Sequence, residues 1–125
     1  MAGNDPVALR GTSRLTLAIS EHYFVVNAPD NDWQVQSAAY FYAVGRQDTG
    51  ELLAFHWHPC GNSPVTTPHL HVRANIQIGE RWLGKVHLPT GFVAIEDIVT
   101  LAIRELGAEP LREDWEALIA DHTRA

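Results

Sequence analysis

Two His-x-His pairs are the clearest chemical feature of the sequence, HWH at 56–58 and HLH at 69–71. Successive side chains of a β-strand point to opposite faces, so each pair places both of its imidazoles on one side of its strand. A hairpin between the pairs, with His58 opposite His69 and His56 opposite His71, brings all four rings onto one face. The sequence therefore predicts a cluster of four histidines.

Acid–base catalysis without a metal is the leading interpretation of this cluster. Two histidines that titrate near neutral pH donate and accept protons, while Arg73 or Lys85 stabilises a developing anion. Cleavage of RNA through its own 2′-hydroxyl suits such a set, and this chemistry requires no cofactor. Four further residues are predicted to line the same sheet face as the cluster if their strands pair in the assumed register: His22, Tyr40, Tyr42 and Arg73. The predicted catalytic residues are His56, His58, His69, His71, Arg73 and Tyr42.

Metal binding is the alternative interpretation of the same four histidines. Neutral imidazoles bind zinc and other divalent transition metals, and a site of three histidines leaves one position open for water. Cys60 is a further thiolate candidate, although its Pro-Cys-Gly-Asn context is more typical of a turn. His87 either reaches the cluster or is a solvated loop histidine. A third interpretation is a non-catalytic module whose exposed sheet face docks a protein partner.

The composition predicts a single cytoplasmic domain. The chain has 125 residues, of which 46% are hydrophobic and 19% charged, and this suits one globular core. A net charge of -6 provides no general attraction to nucleic acid, so any RNA contact must be local. One cysteine excludes an internal disulfide, and the sequence shows neither an export signal nor an apolar run long enough to span a membrane.

The residue pattern changes from strands to helices along the chain. Alternation or β-rich composition predicts strands over 14–26, 33–44, 51–58 and 69–78, with a further short strand within 81–88. The prolines and the glycine between Pro59 and Pro68 predict a loop. Apolar residues at helical spacing then predict a helix over 95–106 that stops at Gly107, and a second helix that opens at Pro110 and ends near Asp121.

This order of elements indicates an α+β domain with an antiparallel sheet of four to five strands and C-terminal helices packed on one face. Residues 1–12 are expected to be a flexible N-terminal segment and residues 13–125 the single domain. The helices are expected to cover the face with Leu15, Leu17, Ile19, Leu70, Val72 and Ile76, leaving the histidine face open.

The motifs between about Ser13 and Leu106 resemble the TumE-like toxins of prokaryotic toxin–antitoxin pairs. The resemblance is carried by PHLH at 68–71, the histidine-bearing strand that ends at 56–58, and an IEDIV helix at 95–99. It implies an RNA-directed toxin with an RNA substrate and a neutralising antitoxin partner, or a non-toxic relative. Leu70 replaces the middle histidine of the family's PHHxH stretch, and the second helix is an addition. A homo-oligomer is also compatible with the sequence.

Overall fold

The structure is a computed structural model that describes residues 5–30, 32–60 and 64–124. Helix α1 spans Ile95–Arg104 and helix α2 spans Trp115–Arg124, and a short 3-10 helix covers Leu83–Lys85. The strands are β1 Val7–Ala8, β2 Leu15–Asn27, β3 Trp33–Arg46, β4 Gly50–Trp57, β5 His69–Val72, β6 Gln77–Ile78, β7 Arg81–Trp82 and β8 Leu88–Pro89.

Six of these strands form one antiparallel sheet in the order β1-β2-β3-β4-β5-β8. The α+β class with an antiparallel sheet is therefore confirmed. The sheet has more strands than the four to five predicted. The strands β1 and β8, which have only two residues each, account for the difference. Strands this short carry too little alternation to be recognised in a sequence. β8 matters for the site, because it pairs with the histidine strand β5.

Strand β5 ends six residues earlier than the predicted strand 69–78. Beyond Val72, the amide of Ala74 donates a hydrogen bond to the Val72 carbonyl at 3.0 Å. This tight turn takes the chain out of the sheet. The chain then forms a separate ribbon of β6 and β7, which turns at Gly79 with a φ of 62°. Ile76 is 52% exposed, so the prediction that the helices cover Ile76 is wrong.

The sheet begins before the predicted domain boundary at Ser13. Val7 pairs with Leu17 and Ala8 with Thr16, and Leu9 packs against the core. Residues 1–4 of the segment predicted to be flexible lie outside the described residues.

The core lies between one face of the sheet and α1. Asp97 accepts a hydrogen bond from the Ala94 amide at 2.9 Å at the start of this helix, and Gly107, with a φ of 85°, follows its end. Ile98 and Ala102 face the sheet and are almost fully buried. Burial of a side chain such as Ile98 contributes about 1.5–3 kcal/mol. They pack against residues that share one parity on β2, β3 and β4: Leu15, Leu17, Ile19, Tyr40, Tyr42, Val44, Leu53, Phe55 and Trp57.

Helix α2 starts later than predicted, at Trp115 rather than next to Pro110. Its described side chains include no fully buried residue, and Leu111 before it is 82% exposed. The contacts to α1 come from Arg104, which binds Glu116 at 3.0 Å and lies 5.6 Å from the Trp115 ring centre. Exposed pairs of this kind contribute little to stability. Neither helix of the described chain has the length and apolarity needed to cross a bilayer.

Two stacked tyrosines at the centre of the core differ in their hydrogen bonds. The rings of Tyr40 and Tyr42 lie 4.7 Å apart, and both side chains are essentially buried. The Tyr40 hydroxyl accepts a hydrogen bond from the Val93 amide at 3.0 Å and so holds the segment before α1 against the sheet. The Tyr42 hydroxyl is buried without a hydrogen-bond partner. The two hydroxyls should therefore affect stability in opposite ways.

Replacing Tyr40 by Phe should lower the free energy of unfolding by about 1–2 kcal/mol, because the partly buried Val93 amide loses its acceptor. The matched Tyr42→Phe change removes an unpartnered buried hydroxyl and should be neutral or stabilising. Urea unfolding of the two variants and the parent chain measures the difference. Equal destabilisation by both changes would contradict these assigned hydrogen bonds.

Candidate functional site

The pairing of β4 with β5 sets the geometry of the histidines. His56 lies opposite His69, and Ala54 lies opposite His71. The predicted pairing of His58 with His69 is therefore wrong by two residues. A two-residue shift preserves the alternation, so both His-x-His pairs still project from the same face of the sheet. The observed register places Leu70 opposite Phe55 and Val72 opposite Leu53 on the core face.

Three of the predicted histidines converge closely. The ring centre of His56 lies 5.4 Å from that of His69 and 5.1 Å from that of His71. The ring centres of His69 and His71 are 5.1 Å apart. One nitrogen from each of these rings lies within 4.8 Å of the other two. We call His56, His69 and His71 the histidine triad. It is built from two adjacent strands, so the backbone ladder positions every member.

The remaining predicted histidine and His87 flank the triad. His58 is exposed, just beyond the end of β4, and its ring centre is 5.9 Å from that of His56. His87 is also exposed and lies 4.9 Å from His69 and 4.6 Å from His71, ring centre to ring centre. Strand β8 brings His87 there, because Leu88 pairs with Leu70. Of the two interpretations of His87, the structure shows the one in which it reaches the cluster.

A hydrogen bond to the backbone of Thr67 holds the His69 ring in one orientation. Its side chain is only 4% exposed, and its Nδ1 lies 2.9 Å from the Thr67 carbonyl oxygen. A carbonyl oxygen can only accept, so Nδ1 carries the hydrogen and Nε2 keeps its lone pair. Metal-binding histidines are commonly fixed in this way by a bond from the second ring nitrogen.

His71 presents a buried nitrogen that has no hydrogen-bond partner. Its Nδ1 is inaccessible to water and unpaired in the described structure. Leaving such an atom unsatisfied costs free energy. Zinc–nitrogen bonds of 2.0–2.1 Å in a tetrahedron separate the nitrogens by about 3.3 Å. The triad nitrogens lie within 4.8 Å of one another, and three imidazoles are a donor set that transition metals accept.

The surroundings of His56 and His71 lower the pKa of both rings and so disfavour their charged forms. Burial, followed by the neighbouring imidazoles His71, His69 and His58, lowers the pKa of His56 from 6.5 to about 4. Burial, then His87 and His69, also lowers the pKa of His71, and the Gly84 backbone partly opposes this effect. Since a ring without its extra proton has a free lone pair, both are suited to bind a metal.

The cationic residue Arg73 directly follows β5. Arg73 continues the parity of His69 and His71, and its Nε donates to Glu51 at 2.9 Å. The Arg73 side chain is 60% exposed, and its charge is one of the causes that lower the pKa of His56 and His71. Glu51 thus orients the Arg73 guanidinium. Lys85 is exposed on the 3-10 helix.

The predicted positions of the two tyrosines are wrong. Phe41, not Tyr42, pairs with His56, and Tyr42 pairs with Phe55 on the core face. Tyr42 is fully buried against α1, so neither it nor Tyr40 lines the histidine face. The Phe41 ring lies 4.8 Å from the His56 ring instead. The error comes from the cross-strand register, which alternation within one strand does not determine.

Two other predicted neighbours stay apart from the triad. His22 has the predicted face but lies on β2 opposite Ala39, two strands away from β4. Cys60 is an exposed free cysteine, and the metal-ligating group found among the described residues contains only the histidine triad.

Comparisons with family models, curated proteins and solved structures find no match to this chain. The resemblance to TumE-like toxins therefore stays a prediction.

In metal-free protein, stability should fall in mildly acidic solution. An unfolded histidine takes up its proton near pH 6.5, whereas folded His56 does so only near pH 4. Between these values the unfolded state binds more protons, so the free energy of unfolding decreases as the pH drops through this range. Urea unfolding of chelator-treated protein from neutral to acidic pH measures this slope. His56→Gln should reduce it, and an unchanged slope would contradict the lowered pKa of His56.

Proposed function

We propose that this protein binds a divalent transition metal, with zinc as the first candidate, through His56, His69 and His71. The observation that carries the proposal is the convergence of one ring nitrogen from each residue to within 4.8 Å. The oriented ring of His69, whose Nδ1 bonds to the Thr67 carbonyl and leaves Nε2 with its lone pair, supports it independently. Metal binding is therefore preferred to metal-free acid–base catalysis as the interpretation of the histidine cluster. The proposed site has three ligands rather than four.

The number and placement of the donors favour a catalytic centre over a structural one. Structural zinc sites are closed by four protein ligands, whereas catalytic sites have three and an open position. The triad offers three donors on the sheet face opposite α1, and the strands that hold it are already joined by their own backbone ladder. The fold therefore does not depend on a metal to join these strands, and the triad would leave a fourth ligand position for water or substrate.

Each surrounding residue has a role that follows from its contacts. A metal bound here supplies a polarised water or a Lewis acid. Thr67 orients His69, and Glu51 holds Arg73 where its free guanidinium nitrogens meet an anionic part of a substrate. His58 and His87 lie at opposite ends of the cluster, and both are exposed to solvent and substrate. We propose a hydrolase with a substrate that bears a negative charge.

Metal-free cleavage of RNA is the second candidate. It is favoured by the two exposed imidazoles, His58 and His87, which flank the triad as a donor and an acceptor of protons would. A cytoplasmic location and an antitoxin partner belong to this candidate as proposals. Tyr42 has no role in it, because its hydroxyl is in the core. The two candidates differ in whether the site needs a metal.

Purified protein loaded with zinc and then desalted should retain about one equivalent of metal. His56→Ala, His69→Ala and His71→Ala should each abolish this retention, because two imidazoles hold a metal far more weakly than three. His22→Ala is the matched control, since His22 lies on the same face outside the triad. Elemental analysis gives the stoichiometry, and cobalt substitution gives a visible spectrum that reports the ligand geometry.

Retention of less than a tenth of an equivalent by the folded parent chain would contradict the metal proposal. Hydrolysis of RNA and of small phosphate esters, with and without chelator, then separates the two candidates. Activity that disappears with chelator and returns with zinc supports the metal centre. RNA cleavage that persists in chelator and is lost in His58→Ala or His87→Ala supports acid–base catalysis.

A further inference from the structure

The segment from Arg73 to Lys85 carries an excess of positive charge beside the histidine triad. It contains three basic residues, Arg73, Arg81 and Lys85, and one acid, Glu80. The whole chain has a net charge of -6, so the residues outside this segment are more acidic still. An anionic ligand is therefore attracted to this segment and repelled by the rest of the chain.

The 3-10 helix Leu83–Lys85 places this charge next to the triad. The helix contacts β5, and the backbone of Gly84 acts on the His71 ring, where it opposes the lowering of the His71 pKa. A Cβ added at Gly84 would lie 3.9 Å from Cδ of Arg73, so the helix also meets the chain just beyond β5. Lys85 directly follows Gly84. The segment that carries Lys85 is thus in contact with a member of the triad.

A cavity of about 390 Å³ opens on this segment and is lined by Glu80, Arg81, Trp82 and Lys85. Its volume lies within the range of small-molecule sites, about 300–1,000 Å³. The Trp82 side chain is 46% exposed, so its ring is accessible to a ligand. Side chains three residues apart on a 3-10 turn are eclipsed, which brings Trp82 and Lys85 to the same side of the helix. The cavity therefore combines an aromatic ring, two cations and one carboxylate.

The two cations of the cavity are available to a ligand. In the part of the chain that the structure describes, ion pairs engage four other arginines: Arg46, Arg73, Arg104 and Arg112. Among the same residues, Arg81 and Lys85 form no ion pair, and both are exposed. Guanidinium and ammonium groups without a carboxylate partner can each donate charge-assisted hydrogen bonds to phosphate oxygens.

We infer that this cavity binds a nucleotide, with Arg81 and Lys85 on its phosphate and Trp82 stacked on its base. Every base has a flat π-face on which an exposed aromatic side chain can stack. The Glu80 carboxylate, which only accepts hydrogen bonds, suits the hydroxyls of the sugar. Inorganic phosphate would use the two cations alone. The ring and the carboxylate in the same cavity favour a ligand that has a base and a sugar as well.

The charge of the chain favours a free nucleotide over a strand of RNA. Each further nucleotide of a strand adds a phosphate charge and extends from the cavity onto residues that are acidic overall. The inference rests on the proposed function and names its anionic substrate. In the hydrolysis, the water oxygen bonds to phosphorus, the P–O ester bond breaks, and one water proton passes to the leaving sugar oxygen.

Calorimetric titration of the chelator-treated full chain with adenosine monophosphate tests the site without a metal that would itself bind phosphate. The nucleotide should bind at least about tenfold more tightly than adenosine or ribose 5-phosphate, because each of these lacks one recognised group. Trp82→Ala should weaken nucleotide binding by at least about tenfold and leave ribose 5-phosphate binding unchanged. Arg81→Ser and Lys85→Ser should each weaken the binding of both phosphates.

Matched controls separate lost recognition from a misfolded ribbon. Trp82→Phe keeps an aromatic ring and should retain most of the nucleotide affinity. Trp33→Ala removes another exposed tryptophan, on the β2–β3 hairpin, and Arg10→Ser removes another exposed cation. Both of these variants should bind the nucleotide as the parent chain does.

Zinc retention, measured on the same proteins, distinguishes the two proposals. A parent chain that retains zinc but does not bind adenosine monophosphate would overturn the nucleotide site and leave the metal centre standing. Nucleotide binding by a chain that retains no zinc would support the nucleotide site and contradict the metal centre. Unchanged nucleotide affinity in Trp82→Ala, or tighter binding of an adenylate tetranucleotide than of the mononucleotide, would also overturn the inference.

Discussion

The pairing of β4 with β5 is the constraint on which the site depends. Phe55 with Leu70 and Leu53 with Val72 occupy the core side of these two strands, and His56 with His69 occupies the other. A slip of one residue would turn the histidines of one strand into the core and its apolar residues into water. The hydrophobic side of the pair therefore determines where the imidazoles lie. Histidine chemistry on one face is maintained by packing on the opposite face.

The same two-sidedness runs through the neighbouring strand. Tyr40, Tyr42 and Val44 face α1, and Phe41 faces the histidines. Aromatic rings thus support both faces of the sheet at the level of His56. The hydroxyl of Tyr40 links this layer to the segment that starts α1, through the Val93 amide. The helix, the central strand and the triad are parts of one packed unit, which gives the triad a firm support.

The triad balances two opposing effects. Close packing of uncharged imidazoles removes water from the rings and disfavours their protonated forms, as the lowered pKa of His56 reflects. The same packing leaves the buried Nδ1 of His71 without a hydrogen-bond partner, which is unfavourable. An arrangement that holds buried lone pairs close together is unfavourable alone and becomes favourable when a cation is present. This is the physical reason why we propose a metal site rather than a proton-transfer pair.

The sequence by itself determined the features that depend on local periodicity. Alternation placed His56 with His58 and His69 with His71 on common faces, and helical spacing from Ile95 predicted α1 and the α+β class. Register, strand ends and the approach of His87 depend on contacts between distant residues, so only the tertiary structure decided them. Tyr42 shows the limit most clearly, since its parity is evident within β3 while its face depends on which residue of β4 lies opposite. Local patterns define relative positions along one strand, and packing of the whole sheet decides which side faces the core.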